Sequence, residues 1–253
     1  MGAGREGARY GLVADVHSNL QALETALAWI DGQSADAVYC LGDVVGYGGD
    51  PGACVELVRS RCAGTVRGNH DAAVVEPALR HWFNPHARQA IERQAELLDE
   101  AAREWLGGLP ATLELDEIAL THSGFADPGA FDYVTGPYEA EREIRAMDVR
   151  WGFFAHTHVP AGYRLRTDGA VEAFRLTEDA RGDRLGGEGV YLVNPGAVGQ
   201  PRDGDPRAAC GIFDRRTSTF HWTRLEYDLE AAQAAIRRSG MPEFEAERLA
   251  RGR

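Results

Sequence analysis

Tyr10 to Ala14 carries no charged residue and reads as a buried strand that stops at Asp15. Ser18 then has the character of an N-cap, with Gln21 three residues later completing a capping box. Leu20, Leu23, Leu27 and Ile30 recur at helical spacing, and Gly32 predicts the stop. Ala37 to Leu41 predicts a second strand, Pro51 opens a helix running to about Arg59, and Gly64 to Arg67 predicts a short third strand. This β-α-β-α-β order implies a parallel sheet with right-handed crossovers.

Further on, Asn84-Pro85 predicts an N-cap followed by proline in the first turn. The helix it opens is expected to reach about Trp105, with Ala87, Ile91, Leu98 and Ala102 on one face. Thr112 to Leu115 and Ile118 to Thr121 pair as a hairpin around Asp116-Glu117, Pro137 to Met147 is again helical, and Trp151 to Ala155 is a strand. The pattern then turns to β at Gly162 to Arg166, Val171 to Phe174, Val190 to Val193, Ala209 to Phe213 and Thr217 to Leu225. A last helix is predicted from Asp228 as N-cap, with Leu229, Ala232 and Ile236 on one face and Gly240 as terminator. A strand-rich second half beside a β-α-β first half predicts an α/β (α+β) protein of two packed sheets flanked by helices. At 253 residues the expectation is a single domain over 1–253, with a core at about 10–225 and a helical tail at about 228–253. A chain of this size buries roughly 70–75% of its unfolded surface, so a metal site need not hold the fold together.

Composition narrows the function classes. A net charge of −12 argues against a nucleic-acid-coating surface. All 27 basic residues are arginine, which excludes Schiff-base lysine chemistry and a Walker-type phosphate lysine. The cysteines Cys40, Cys54, Cys62 and Cys210 show no Cys-x-x-Cys spacing and are too few for a disulfide framework, so a cytoplasmic protein with reduced thiols is expected. Met1 to Tyr10 lacks the apolar core of a signal peptide, and no run of about 18 apolar residues predicts a membrane span. Nothing in the pattern specifies an oligomeric state.

Five polar clusters stand at or near the ends of the strand-like runs: Asp15-Val16-His17, Gly42-Asp43, Gly68-Asn69-His70-Asp71, Thr121-His122 and His156-Thr157-His158. They hold five of the eight histidines, with carboxylates and one carboxamide, a ligand set suited to divalent Mn, Fe, Co, Ni or Zn. Asp15 and His17 are two apart, so extended backbone would point both the same way. Asp43 sits in a glycine-rich loop, Gly42 to Gly48, and its two oxygens can bridge two cations. Each cluster taken alone also fits a turn or a helix entry; their order in series, each where a parallel strand delivers side chains to one edge, points to a two-metal hydrolytic centre.

The series Asp-x-His, Gly-Asp, Gly-Asn-His-Asp, a lone His and His-x-His resembles the calcineurin-like metallophosphoesterase superfamily from about Tyr10 to Leu225. The usual Gly-His-x-His is Ala155-His156-Thr157-His158 here. The glycine loop and the segment Asn194 to Asp203 are similar to bacterial and archaeal members grouped with diadenosine tetraphosphatase-like and small phosphodiesterase-like proteins. The resemblance implies a four-layer αββα sandwich and two divalent metal ions. It implies that Asp15, His17 and His158 hold one ion, that Asn69, His122 and His156 hold the other, and that Asp43 bridges them. His70 is then the catalytic residue, protonating the leaving oxygen or stabilising charge on it. Two divalent ions, two carboxylates and a hydroxide leave such a centre at about +1, attractive to a phosphate ester. Arg202 and Arg67 are candidates for contacting that phosphate, and His81, Trp82, Phe83 and Tyr133 for lining a substrate cap. Protein Ser/Thr phosphatases carry an Asp-Arg pair where this chain has Gly46-Tyr47, which favours a small phosphorylated substrate and leaves the group orienting His70 unassigned. Two alternatives remain at this point: a protein phosphatase, and a metal-binding scaffold without turnover.

Overall fold

The computed structural model describes residues 8–253; the Gly/Arg-rich first seven residues lie outside that span. One mixed sheet has six strands: β1 (Arg9–Val13), β2 (Ala37–Cys40), β3 (Gly64–Thr65), β9 (Asp183–Arg184), β11 (Ala208–Asp214) and β12 (Thr219–Leu225), in the order β3-β2-β1-β11-β12-β9. Its β1, β2 and β3 run parallel, as the alternation of strands and helices predicts, while β1 meets β11 antiparallel with Tyr10 opposite Phe213. The second sheet, also six-stranded, is built from β4 (Thr112–Leu115), β5 (Ile118–Thr121), β6 (Trp151–Phe153), β7 (Ala161–Leu165), β8 (Val171–Phe174) and β10 (Val190–Asn194), in the order β4-β5-β6-β10-β7-β8. Here β5, β6 and β10 are mutually parallel.

The strand period of two decides the layering. Tyr10, Leu12 and Ala14 point to the second sheet and share a core with Leu120, Phe153, Val193, Phe213 and Phe220. Val13, Val38 and Cys40 point the other way, against α1 (Leu20–Gly32) and α2 (Pro51–Arg61). Gly11 lies under α1, where a Cβ would stand 2.6 Å from a methyl of Ile30, so glycine lets helix and sheet approach closely. The outer face of the second sheet, with Phe154, Tyr163 and Leu192, is covered by Ala140 and Ile144 of α6 (Pro137–Arg145). Helix, sheet, sheet and helix therefore stack as the four-layer αββα sandwich.

Local details differ from the pattern-based expectations. The N-cap of α1 is Asn19, whose Oδ1 accepts the Ala22 N–H at 3.2 Å; Ser18 instead has φ of +57° and donates its hydroxyl to Gln94. The helix expected from Pro85 to Trp105 is two helices, α4 (Pro85–Leu97) and α5 (Glu100–Gly107), because Asp99 accepts the Ala102 N–H at 2.8 Å and starts a new first turn. A short α3 (Asn69–Val75) follows the helix entry at Gly68, a 3-10 segment (Pro77–Trp82) stands outside the expected pattern, and the expected helical tail is two helices, α7 (Leu229–Arg238) and α8 (Glu243–Leu249). Among the described residues no helix is long and apolar enough to cross a membrane.

Candidate metal centre

Strands β1, β2, β3, β5 and β6 end at a common rim, and each is followed within four residues by one of the polar clusters. Asp15, His17, Asp43 and His158 present ligand atoms within 4.8 Å of one another, and so do Asp43, His122 and His156. Asn69 joins the second group, its Oδ1 lying 3.3 Å from His122 Nε2. All seven residues expected to ligate metal thus come to one place, together with His70, whose N–H donates to Asp43 Oδ1 at 2.8 Å.

The backbone reaches this arrangement by tight turns, not by continuing the strands. Asp15 and His17 have φ of +48° and +45°, so the extended geometry expected for that pair is incorrect even though both side chains arrive at the centre. Among the described residues ten non-glycine residues have positive φ, and Asp15, His17, Ser18, Asp43, His156 and His158 are six of them. Each such position costs about 1–3 kcal/mol and survives only where its surroundings hold it. Here the loops hold each other: Asp15, His17 and Ser18 donate their N–H groups to the carbonyls of Gly42, Asp43 and Val44 at 3.1, 2.9 and 3.0 Å. Gly199 in turn donates to the Asp15 carbonyl at 2.9 Å.

The hydrogen bonds of the histidines settle which ring nitrogen faces inward. His17 Nδ1 lies 3.1 Å from the Val45 carbonyl, His122 Nδ1 2.8 Å from that of Leu41, and His158 Nδ1 2.5 Å from that of Gln200. A carbonyl only accepts, so each Nδ1 carries a proton; in His17 and His158, which burial holds neutral, Nε2 presents a lone pair, and His122 does so once its Nε2 proton gives way to a cation. Those lone pairs meet no donor. His17 Nε2 and His158 Nε2 face each other at 3.0 Å, and Asp43 Oδ2 lies 3.4 Å from the Nε2 of both His17 and His122. Asp15 Oδ2, fully buried, has no hydrogen-bond partner. Backbone N–H groups of His70 and His156 reach one oxygen each of Asp43 and Asp15, but the cluster stays short of donors, and the residues fit divalent cations with nitrogen and oxygen ligands.

Burial sets the electrostatics. It raises the Asp15 carboxyl to about 7, with the Asp43 charge adding to the rise and His122 opposing it. It holds His17 and His158 well below the usual imidazole range, His70 at about 4 and His156 at about 3. At His122 burial also favours the neutral ring, but Asp43, Asp15 and the Leu41 carbonyl outweigh it and take the group to about 9. Burial likewise pushes Asp43 up, and the neighbouring histidines override it, leaving a carboxylate well below its ordinary value.

A cleft of about 750 Å³ opens onto this cluster. Asp43, Asn69, His70, His156 and His158 line its floor region together with Arg67, Arg202 and Arg248. Arg67 is held by Glu76 at 3.0 Å, whereas Arg202 makes its side-chain hydrogen bonds to the neutral oxygens of Gln200 and Tyr47. Trp82 and Tyr133 line the cleft with 79% and 53% of their surface exposed, so neither is consumed in packing the connecting segments. Tyr133 stacks on the His156 ring, with centroids 4.2 Å apart. His70 is walled by three rings, those of Tyr47, His17 and Phe83, at 4.7, 4.8 and 5.0 Å, and its Nδ1 meets no partner. Aromatic packing, not a carboxylate, orients it.

Several residues that matter to this geometry escaped sequence reasoning. Asp71 accepts N–H groups from Val45 and Gly68 at 3.1 and 3.0 Å and ties two clusters together. Gln94 of α4 accepts from Ser18 and Gly46 and donates to the Gly48 carbonyl at 2.7 Å, locking the glycine loop. Asn194 donates to the Ala155 carbonyl at 2.8 Å and to Thr157 at 3.0 Å, fixing the turn that carries His156 and His158. None stands in a periodic pattern that marks its role; only Asp71, inside a cluster, was open to reading as a cap.

Helices around two stacked sheets, with a histidine–carboxylate centre on the strand ends, define a metallophosphoesterase fold. The chain belongs to the calcineurin-like phosphoesterase superfamily, whose domain profile matches residues 9–218. It is 32% identical over 251 residues to an uncharacterized protein of Methanocaldococcus jannaschii, across 96% of this chain and 97% of that one. A metallophosphoesterase from Sphaerobacter thermophilus, known from its crystal structure, superposes with a TM-score of 0.84 at 34% identity, covering 98% of this chain and 100% of that chain. A hypothetical protein from Pyrococcus horikoshii shares the fold with a TM-score of 0.77 at 19% identity, covering 97% and 98% of the two chains.

Proposed function

We propose that the chain is a metal-dependent phosphoesterase that hydrolyses a small phosphate mono- or diester, or a nucleotide, at a centre of two divalent ions. Asp15, His17 and His158 would hold one ion, Asn69, His122 and His156 the other, and Asp43 both. The observation that carries this reading is the place of Asp43, one of whose oxygens lies 3.4 Å from a ring nitrogen in each group. The nitrogen and oxygen ligand set suits Mn, Fe, Co, Ni or Zn. When bound, such ions lower the pKa of a water and draw charge from the phosphoryl oxygens.

The protein's own groups do the remainder. Asp15 and Asp43 supply too little negative charge to cancel two divalent ions, so the centre attracts a phosphate anion. Arg202, free to turn from its neutral partners, contacts the phosphate. His70 lines the cleft beside Asp43 and hydrogen-bonds the leaving oxygen; burial keeps the ring neutral, which favours an N–H contact over full protonation. Tyr47, where protein Ser/Thr phosphatases carry charge, and the exposed rings of Trp82 and Tyr133 support a small ring-bearing substrate over a phosphoprotein. Packing of α7 on α1 and of α8 on α7 supports reading the chain as one domain. The four free cysteines, three of them buried, suit a reducing cytoplasm.

The test is metal analysis of the purified protein joined to p-nitrophenyl phosphate hydrolysis before chelation, after chelation, and after return of Mn²⁺. About two ions per chain are expected, with turnover that disappears and returns with them. Hydrolysis by metal-free protein overturns the metal-dependent reading. Protein that holds both ions and hydrolyses no phosphate ester is instead a scaffold.

A further inference from the structure

Two guanidinium groups approach the Tyr47 ring: that of Arg202 is 5.6 Å from the ring centre and that of Arg248 is 5.4 Å away. Both arginines line the metal-centre cleft. Arg248 comes from α8, in the C-terminal tail, beyond the residues 9–218 matched by the family profile. Its Nε donates to the Arg253 backbone oxygen at 2.7 Å, which points the fork, and its guanidinium lies 5.3 Å from the Phe244 ring centre.

Two carboxylates, Asp43 and Glu245, stand against the two guanidiniums around Tyr47, and Asp43 belongs to the candidate metal centre. Glu245 lies 3.6 Å from Arg248 and also accepts from Gln200 at 3.4 Å, while Arg202 bonds only neutral oxygens among the described residues. With Asp43 placed at the metal centre, Glu245 is the side-chain carboxylate paired with Arg248, and its Oε1 is buried without a hydrogen-bond partner. Burial of Arg248 lowers its pKa, and the Arg202 charge adds to that against the pull of Glu245. Two guanidiniums that approach one ring and line the cleft beside a phosphate-attracting centre suit an anionic ligand.

We propose that Arg248, together with Arg202, is a specificity-determining residue that binds a second phosphate of the substrate, next to the one at the metal centre. This rests on the phosphoesterase reading above and names a substrate class within it, molecules with two adjacent phosphates. A planar fork suits such a group better than a point charge. Tyr47, in the place where protein phosphatases carry an Asp-Arg pair, is the ring that both forks approach, and it packs against His70 at 4.7 Å.

AMP and ADP differ only by the second phosphate and serve as probes. Calorimetric titration of the metal-loaded full chain gives their two dissociation constants, and p-nitrophenyl phosphate turnover is followed in the same preparation. The wild type is expected to bind ADP more tightly than AMP. In Arg248→Met the preference falls by about tenfold to a hundredfold, the scale of losing a charged hydrogen-bond pair, and Arg248→Lys restores part of it. Arg238→Met, on the exposed face of α7, leaves both constants unchanged. Thermal melting shows whether each variant is folded, and if the Met variant is not, the Lys variant with its diminished preference decides. An ADP preference unchanged in folded Arg248→Met and Arg248→Lys overturns the proposal, as does a wild type that binds both nucleotides alike. An intact, Arg248-dependent preference without turnover of p-nitrophenyl phosphate leaves it standing and counts against the phosphoesterase reading instead.

Discussion

Replacing Asp43 by Asn changes one charge and almost no shape, which makes it the sharpest probe of the centre. The Oδ1 of Asp43 accepts the His70 N–H at 2.8 Å, and an asparagine oxygen can keep that bond. The loop around Gly68 is packed against the carboxylate so closely that a Cβ there would overlap it, so an isosteric side chain is needed. The other oxygen faces His17 Nε2 and His122 Nε2 at 3.4 Å each. An amide NH₂ in that place offers no anionic ligand to either group. At an effective dielectric of about 20, a unit charge about 4 Å from another is worth about 4 kcal/mol, which is about a thousandfold in affinity before the double charge of the ion is counted. Loss of metal from both positions is therefore expected, with the fold retained. Elemental analysis after dialysis against metal-free buffer, paired with circular dichroism and p-nitrophenyl phosphate turnover, is the assay. Asp43→Asn protein that keeps two ions per chain refutes the bridging role, and protein that keeps one assigns Asp43 to a single position.

His70→Ala is expected to retain metal and lower kcat by about 10²–10⁴-fold, and metal loss as complete as in Asp43→Asn would reassign His70 as a ligand. Arg202→Met should raise KM by about tenfold or more, whereas Arg67→Met, whose charge Glu76 already holds at 3.0 Å, should shift it by less; steady-state kinetics of both variants decide this. Adding Mn²⁺ to chelated protein should raise Tm, because the ions bind only the folded centre; at a concentration a hundredfold above Kd the gain is about 2.7 kcal/mol, and an unchanged Tm would place the ions elsewhere. Gly46→Ala should destabilise by about 1–3 kcal/mol in chemical denaturation, since its Cβ overlaps the His17 ring and φ there is +155°; a neutral effect would show that the loop yields freely.

What the chain order determines by itself is local. Apolar periodicity places β1, β2, β5 and β6 within a few residues of their observed bounds, and the polar clusters follow them because a buried strand must end before a charged group appears. Capping signals also work where the partner is three residues away, as at Asn84 and Asp228. The signal at Ser18 fails because its hydroxyl goes to distant Gln94 and Asn19 caps the helix, while at Asp99 a working cap lies inside a run whose apolar spacing reads as one helix. The centre needs more than order. His17 and His158 face each other across 141 residues of chain, and that meeting depends on which sheet each strand joins and how the sheets stack. The positive φ angles at Asp15, His17, Asp43, His156 and His158 are likewise largely tertiary: Asp and His tolerate this region better than most residues, but backbone hydrogen bonds between loops, as at Asp15 and His17, are what hold it. Arg248 and Gln94 sit in ordinary amphipathic helices, where a residue facing a cleft looks the same as one facing solvent. Periodicity tells which face of an element is buried; only the packed sandwich tells what that face, or the rim beside it, will meet.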